Sequence, residues 1–211
     1  MEAKIVPLIQ KYFKIHFKNG DIHTGKNRLI YEVAVRFVEN FLKQEKTIVS
    51  NPNNRLRVLA TEENYATTIS VEGLDFPVKI HGQVDRIEEL NGIIRIVDYK
   101  TGMVKSADLK VSDFTRINTF KYSKAIQVML YAYMYSKSSN YKPKTVIEAG
   151  IYSFKNLKEG FLGMNFSSNS RQPVSEITED VLEAFMTQIK GVISEIYNRD
   201  IPFTEVNDLP Y

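Results

Sequence analysis

The sequence contains no cysteine and no tryptophan among its 211 residues. The absence of cysteine excludes disulfides, thiol catalysis and cysteine-ligated metal sites, and it fits a reducing, cytoplasmic location. No apolar run approaches the ~18 residues that a membrane-spanning helix requires, and the N-terminus lacks the basic and apolar regions of a secretory signal. The net charge is only +3, too small by itself to indicate nucleic acid. We therefore expect a cytoplasmic protein without a membrane segment.

Hydrophobic residues make up 43% of the chain, which is enough apolar material for a folded protein and excludes a disordered one. The chain has no internal repeat, no low-complexity tract and no linker long enough to divide it. Its length suits one domain of ~150–200 residues. We expect residues 1–211 to form a single domain.

The spacing of apolar residues predicts an α/β fold. Two helices come first, a group of strands follows, and a helix, a strand and a helix complete the chain. The predicted ranges are helices over 2–17 and 26–45, strands over 66–71, 76–88 and 92–100, a helix over 123–136, a strand over 145–154 and a helix over 179–198. Asn91-Gly92 predicts a hairpin between the second and third strands. This order favours a mixed central sheet flanked by helices.

Two neighbouring strands carry the residues with the clearest chemistry. Alternation places Asp98 and Lys100 on one face of the strand that follows the hairpin. In the strand before it, alternation predicts two faces, one with His81, Gln83 and Asp85 and the other with Ile80, Val84 and Arg86. Asp85 beside Asp98 would bring like charges together, which calls for a cation. Mg²⁺ suits two carboxylates, and the carbonyl of Tyr99 could add a third ligand.

Three motifs in order resemble those of the RecB-type branch of the PD-(D/E)XK nuclease superfamily. They are Gly82-x-x-Asp85-Arg86-Ile87, then Asp98-Tyr99-Lys100-Thr101-Gly102, then Gln127-x-x-x-Tyr131. The resemblance covers about Glu62 to Tyr135. It implies a restriction-endonuclease-like core and a DNA nuclease that uses Mg²⁺ or Mn²⁺. It also implies exonuclease action on broken DNA ends, together with a helicase or helicase-like partner.

The resemblance assigns a role to each motif residue. Asp85 and Asp98 are expected to bind the divalent metal, and Lys100 is expected to be the catalytic lysine. Gln127 and Tyr131 match the helix motif that supports the site and approaches the DNA. The alternative for these two residues is ordinary core packing. Arg86 is expected to make a structural salt bridge on the opposite face.

The sequence departs from that pattern in two places. Relatives carry a metal-binding histidine on an early helix, where this chain aligns Tyr31, so Glu32 or His23 could compensate. Either Glu62 or Glu63 could supply the acidic residue that precedes the first strand in relatives. Several relatives also continue into cysteines that hold an iron–sulfur cluster. This chain ends at Leu209-Pro210-Tyr211 without them. We expect no cluster in this chain, and an excised C-terminal part of a larger helicase-like protein is one explanation.

The segment from Lys100 to Lys124 is basic, with six lysines or arginines and two aspartates. It joins the strand of Asp98 to the helix of Gln127, so it could line a DNA channel through phosphate contacts or could be a solvated loop. Its aromatic residues could stack on bases or pin the loop to the body, and the second reading is favoured. These residues are Phe114, Phe120 and Tyr122.

Two other functions remain open from the sequence. The same fold could serve as a catalytically weakened module that holds DNA or a partner, or the Asp–Lys cluster could merely stabilise a hairpin. Other enzyme classes are disfavoured. The chain has no Gly-x-Ser-x-Gly elbow, no phosphate-binding loop and no His-Glu-x-x-His motif.

Overall fold

A computed structural model of the protein describes residues 4–18, 20–167 and 174–204. The predicted helix start at Glu2, Asn19 of the first turn, and Leu209-Pro210-Tyr211 lie outside these ranges. None of the helices in the described ranges is long and apolar enough to cross a membrane. The chain divides into two compact units, Met1–Asn54 and Arg55–Tyr211, and each is described by itself.

The first unit is built from two helices, α1 (Ile5–His16) and α2 (Gly25–Ser50). The ring of Phe13 in α1 stacks on Phe17 and meets Tyr31 of α2 edge to face, with centroids 4.0 and 6.0 Å apart. Before α2, the carboxylate of Asp21 accepts hydrogen bonds from the amide of His23 and the hydroxyl of Thr24. Helix α2 runs past the predicted end at residue 45 and stops at Ser50. Pro52 follows there, and proline cannot continue a helix.

The second unit contains a mixed sheet of five strands in the order β1-β2-β3-β4-β5. The strands are β1 (Leu56–Ile69), β2 (Val78–Leu90), β3 (Ile93–Lys100), β4 (Ile147–Ser153) and β5 (Phe161–Gly163). Strands β3 and β4 are parallel, and the other neighbours are antiparallel. Helices α3 (Ser123–Ser136) and α4 (Glu179–Tyr197) complete the unit. This arrangement confirms the predicted mixed sheet flanked by helices.

The hairpin between β2 and β3 sets the register of the candidate site. Asn91 and Gly92 have positive φ angles of 54° and 86°, as a tight two-residue turn requires. Leu90 consequently pairs with Ile93, and the same register carries the ladder to Arg86 and Val97. The ladder ends there, and the next residues along the two strands are Asp85 and Asp98.

Helix α3 packs against one face of the sheet and supplies much of the core. Small residues on α3 are fully buried, which allows the helix axis to approach the strands closely; Ala125 and Ala132 are examples. Gly82 on β2 serves the same purpose. A Cβ atom there would lie 3.1 Å from the ring of Tyr131 and 3.3 Å from Met134. Gly82 and Tyr131 belong to separate sequence motifs. Their close contact gives a physical reason for a glycine at position 82 beside the ring of Tyr131.

The structure corrects two strand predictions. Strand β1 begins at Leu56, well before residue 66, because its polar first half pairs with β2 through the backbone and has no buried face to leave an apolar pattern. Glu62 and Glu63 therefore lie within the first strand, where we expected a position before it. Strand β5 was not predicted, since three residues are too few to show a period.

Candidate active site

A chain of hydrogen bonds links the end of β3 to helix α3. The Lys100 ammonium lies 2.8 Å from Asp98 Oδ2 and donates to Asp98 Oδ1 at 3.0 Å. It also donates to Gln127 Oε1 at 2.8 Å, and Gln127 Nε2 donates to the Tyr131 hydroxyl at 2.9 Å. Residues from two motifs that are distant in sequence therefore form one connected site.

Asp85 joins this site through the backbone of β3. Its Oδ2 accepts a hydrogen bond of 2.7 Å from the amide of Tyr99, the residue between Asp98 and Lys100. Asp85 is also close enough to Asp98 for repulsion between the two carboxylates to affect the titration of Asp98. The predicted juxtaposition of Asp85, Asp98 and Lys100 is present. We call Asp85, Asp98, Lys100, Gln127 and Tyr131 the site cluster.

The strand alternation that we predicted for β2 is wrong at Asp85. Val84 and Ile87 are three residues apart, yet both belong to the main core, while Arg86 contacts the Tyr99 hydroxyl on the other face at 3.2 Å. Val84 and Arg86 therefore do not share a face. The neighbouring strand is irregular at the same level: Thr61 pairs with Arg86 and Glu63 with Val84, the intervening Glu62 has a φ of 53°, and the register shifts between Val58 and Ala60.

This local irregularity determines where the Asp85 side chain points. Residues other than glycine rarely adopt positive φ, and such conformations concentrate at functional sites. The break between β1 and β2 lets the Asp85 carboxylate reach the Tyr99 amide, which in a regular ladder would pair with the backbone of β2. The sequence gives no signal for it, because the polar first half of β1 shows no apolar alternation that an irregularity at Glu62 could interrupt.

Burial makes the charge on Asp98 costly. The residue is only 2% exposed. Burial raises the pKa of the Asp98 carboxyl above its ordinary value, the hydrogen bond and charge of Lys100 act against that increase, and repulsion from Asp85 adds to it. The protein environment therefore offsets only part of the cost of ionising Asp98. Incomplete compensation of this kind is a common property of catalytic groups.

The oxygen atoms at the end of β3 suit a hard divalent cation. Asp98 pairs with the Lys100 ammonium, Asp85 accepts a hydrogen bond from the Tyr99 amide, and the Tyr99 carbonyl belongs to the residue between Asp98 and Lys100. Mg²⁺ typically binds to one or two protein carboxylates and keeps several waters. Within residues 4–18, 20–167 and 174–204 there is no group of three acidic, histidine or cysteine side chains that could hold a metal. The donor set therefore fits a water-rich site and not a closed cage.

The residues that could replace the absent histidine lie in different environments. Tyr31, Glu32 and His23 belong to the first unit, where Arg28 donates to Glu32 at 2.8 Å. Their predicted role at the metal stays a prediction. Glu63 accepts a hydrogen bond of 3.1 Å from the Tyr65 hydroxyl. The Glu62 side chain is exposed, on the strand next to Asp85.

A second cluster of charges lies on the other face of β2 and β3, and sequence reasoning missed most of it. Glu88 forms ion pairs with Arg86 on its own strand and with Arg95 across the hairpin, the latter at 3.0 Å. The side chains are 1% exposed for Glu88 and 7% for each arginine. Arg95 also lies over the ring of Phe161, 3.7 Å from its centroid. The salt bridge expected for Arg86 is confirmed. We call these three charged residues the arginine–glutamate cluster.

The segment after Lys100 folds into short 3₁₀ helices at Ser106–Leu109, Phe114–Arg116 and Phe120–Tyr122. Ser153, which pairs with Lys100 in the sheet, fixes its first residues by donating to the Gly102 carbonyl at 2.7 Å and accepting from the Val104 amide at 3.2 Å. The exposed basic residues of this segment are Lys105, Lys110, Arg116 and Lys121, whereas Lys124 pairs with Asp108 at 3.4 Å.

Comparison with known families identifies the chain. The PD-(D/E)XK nuclease superfamily matches residues 23–208, which include all three motifs and the whole sheet. The chain belongs to the PD-(D/E)XK nuclease superfamily. Members of this superfamily are nucleases that generally use divalent metals.

The other comparisons add little to this assignment. The chain is similar to a crystal structure of SSO0001 at 12% identity, over 92% of this chain and 75% of that one, with a TM-score of 0.30. The comparison with curated proteins gives no match. The assignment to the superfamily rests on the family match, together with the observed sheet.

Proposed function

We propose that this protein is a RecB-type, Mg²⁺- or Mn²⁺-dependent deoxyribonuclease that digests DNA from an end, in cytoplasmic DNA repair and alongside a helicase or helicase-like partner. The observation that carries the proposal is the hydrogen-bonded chain from Asp98 through Lys100 and Gln127 to Tyr131, with Asp85 bound to the same strand end. A PD-(D/E)XK nuclease needs acidic and lysine side chains together at one strand end, and this chain supports that arrangement with a helix.

Each residue has a distinct part in the proposed reaction. Asp85, Asp98 and the Tyr99 carbonyl would hold a divalent cation, which supplies Lewis-acid polarisation of the phosphate and activation of water. Lys100 positions the attacking water and offsets the negative charge that builds on the phosphate. Gln127 holds the Lys100 ammonium in place, and Tyr131 fixes the amide of Gln127. These two act as positioning residues.

Cleavage of a labelled linear DNA in Mg²⁺, Mn²⁺ or chelator tests this function. Replacing Lys100 by Ala should lower the rate by about 10²–10⁴-fold, the range for loss of a positioned proton-transfer or electrostatic group. Lys142→Ala is the matched control. Lys142 is exposed and precedes β4 at the opposite end of the parallel strands from Lys100. A folded Lys100→Ala protein that cleaves at the wild-type rate would contradict the mechanism.

A DNA-binding module with weakened chemistry is the second candidate. It is favoured by one observation: the Lys100 ammonium already contacts Asp98, and no third acidic or histidine side chain joins the two carboxylates among the described residues. Such a module would bind DNA equally well with and without chelator and would not cleave it. A metal-dependent nuclease would cleave in Mg²⁺ or Mn²⁺ and stop when chelator is added.

A further inference from the structure

The three aromatic residues between β3 and α3 have different environments. Phe114 is packed between other rings, 6.0 Å from Phe166 and 6.1 Å from Phe185 between centroids. Tyr122 is half-buried against the core. These two pin the segment, as the sequence analysis favoured. Phe120 does not, because it is 58% exposed.

Phe120 lies at the end of α3 that carries the site. It begins the 3₁₀ turn that leads directly into α3 at Ser123. Gln127 is seven residues further on, and at ~2.0 Å per residue in the 3₁₀ turn and ~1.5 Å per residue in α3 the two positions are separated by about 12 Å along the chain axis. That distance corresponds to about three stacked nucleotides of one strand. The ring is therefore within reach of a strand whose phosphate lies at Lys100.

The charges around Phe120 are those of a surface that follows a phosphate backbone. Lys121 and Arg116, its neighbours in the segment, are exposed. Of the two acidic residues in the segment, Asp108 is offset by Lys124, whereas Asp113 keeps its charge and accepts a hydrogen bond from the Thr115 amide at 2.9 Å. An exposed aromatic ring between exposed lysine and arginine side chains suits a single strand, whose nucleobase faces are open. It does not suit a duplex, whose nucleobase faces are stacked on one another.

We propose that Phe120 stacks on an unpaired base of the DNA strand that enters the site, with Lys121 and Arg116 beside the flanking phosphates. The substrate is accordingly single-stranded DNA or a single-stranded end. This inference rests on the proposed function and deepens it, because it names the form of DNA that the site accepts. Phe120 is thereby a specificity-determining residue, whereas the site cluster performs the reaction.

Binding measured in chelator, where no cleavage occurs, tests the inference directly. Fluorescence anisotropy would compare a labelled oligothymidine with a blunt duplex of equal length at one salt concentration. Phe120→Ala should weaken single-strand binding about tenfold and leave duplex binding unchanged, since stacking on an aromatic ring contributes that much or more per base. Phe120→Trp should bind the single strand at least as well as wild type.

Two matched variants separate stacking from other effects. Phe203→Ala removes a phenylalanine that is 84% exposed and far along the chain from the basic segment. This control substitution should change neither the affinity for the single strand nor the affinity for the duplex. Lys121→Gln should weaken single-strand and duplex binding alike and reduce the salt dependence, because a phosphate contact does not distinguish the two forms.

The possible failures have different meanings. Suppose that wild type cleaves DNA, and that Phe120→Ala either binds the single strand as tightly as wild type or loses affinity equally for single-stranded and duplex DNA. In either case the stacking proposal is wrong and the proposed function stands. In that case the ring is a contact for another protein or a general part of the surface. If wild type neither binds nor cleaves DNA in any metal, both proposals are overturned.

Discussion

Strands β2 and β3 carry a cluster of charges on each face, and the two clusters differ in how far their charged side chains are exposed to solvent. In the arginine–glutamate cluster, Glu88 lies between two guanidiniums and is 1% exposed. In the site cluster, Lys100 pairs with Asp98, Asp85 accepts from the Tyr99 amide, and the Lys100 side chain is 30% exposed. The first arrangement is closed to solvent, whereas the second is open to solvent at Lys100. On this difference we propose that the closed cluster is structural and the open one reactive.

The largest expected effect on stability belongs to the closed cluster. Glu88→Ala should lower the free energy of unfolding by about 3–5 kcal/mol, because it leaves two buried guanidiniums without their shared carboxylate. The measurement is urea denaturation. Any protein that remains folded should cleave DNA at the wild-type rate per folded molecule.

Glu89→Ala is the matched control for that prediction. Its carboxylate pairs with Arg57 at 2.7 Å, and the two side chains are 33% and 70% exposed. Loss of such a surface pair costs about 0–1 kcal/mol. A Glu88→Ala protein with wild-type stability and no activity would reverse the roles that we assign to the two clusters.

A smaller effect is expected where the strand alternation breaks. Glu62 has a positive φ, so Glu62→Gly should be at least as stable as wild type, whereas Glu62→Val should be less stable by about 1–2 kcal/mol. The valine should also speed hydrogen exchange of the Tyr99 amide, because Asp85 would no longer be held against it. Urea midpoints and amide exchange measured by NMR report these two effects.

Thr61 supplies the comparison for Glu62. It is the preceding residue in β1, pairs with Arg86 and is not among the residues with positive φ. Thr61→Gly should therefore destabilise the protein, by about 0.5–1 kcal/mol. Equal losses of stability for Glu62→Gly and Thr61→Gly would show that the conformation of Glu62 does not orient the Asp85 side chain.

The smallest effect is a dependence of stability on pH that comes from Asp98. Because burial raises the pKa of its carboxyl, the native state binds this proton more tightly than the unfolded chain. Ionised Asp98 therefore costs stability, and the cost grows as pH rises from the ordinary value of 3.8 through the raised native value.

Asp98→Asn removes that cost. In chelator it should melt above wild type at pH 7, and its advantage should shrink as pH falls toward 4. Melting temperatures of the two proteins across this range provide the test. An advantage that grows as pH falls would mean that the pKa of Asp98 is lowered in the folded protein.

Much of the fold could be predicted because the decisive patterns are local. Helix α3 occupies the predicted range, 123–136, since its apolar spacing is regular and it follows a long polar segment. The Asn91-Gly92 turn fixed the hairpin, and with it the register that brings Asp85 toward Asp98. That register also sets Glu88 opposite Arg95, so the arginine–glutamate cluster carried a detectable signal that we did not use.

Other features depend on contacts between distant segments and left no local signal. Alternation fails between Val84 and Arg86, beside a residue of another strand, Glu62, whose φ is positive. The first half of β1 was missed because a strand at the edge of a sheet can be polar along its length. Among the aromatic residues of the basic segment, sequence alone could not separate exposed Phe120 from packed Phe114. Their neighbours in sequence are similar, and only tertiary packing distinguishes them.

The most direct test of the account is a calorimetric titration of Mn²⁺ into wild-type protein and into Asp98→Ala. The site cluster is claimed to hold a divalent cation through Asp85, Asp98 and the Tyr99 carbonyl. The account predicts that wild type binds Mn²⁺ with a measurable heat and that folded Asp98→Ala does not. Equal binding by both proteins, or no binding by wild type, would contradict it.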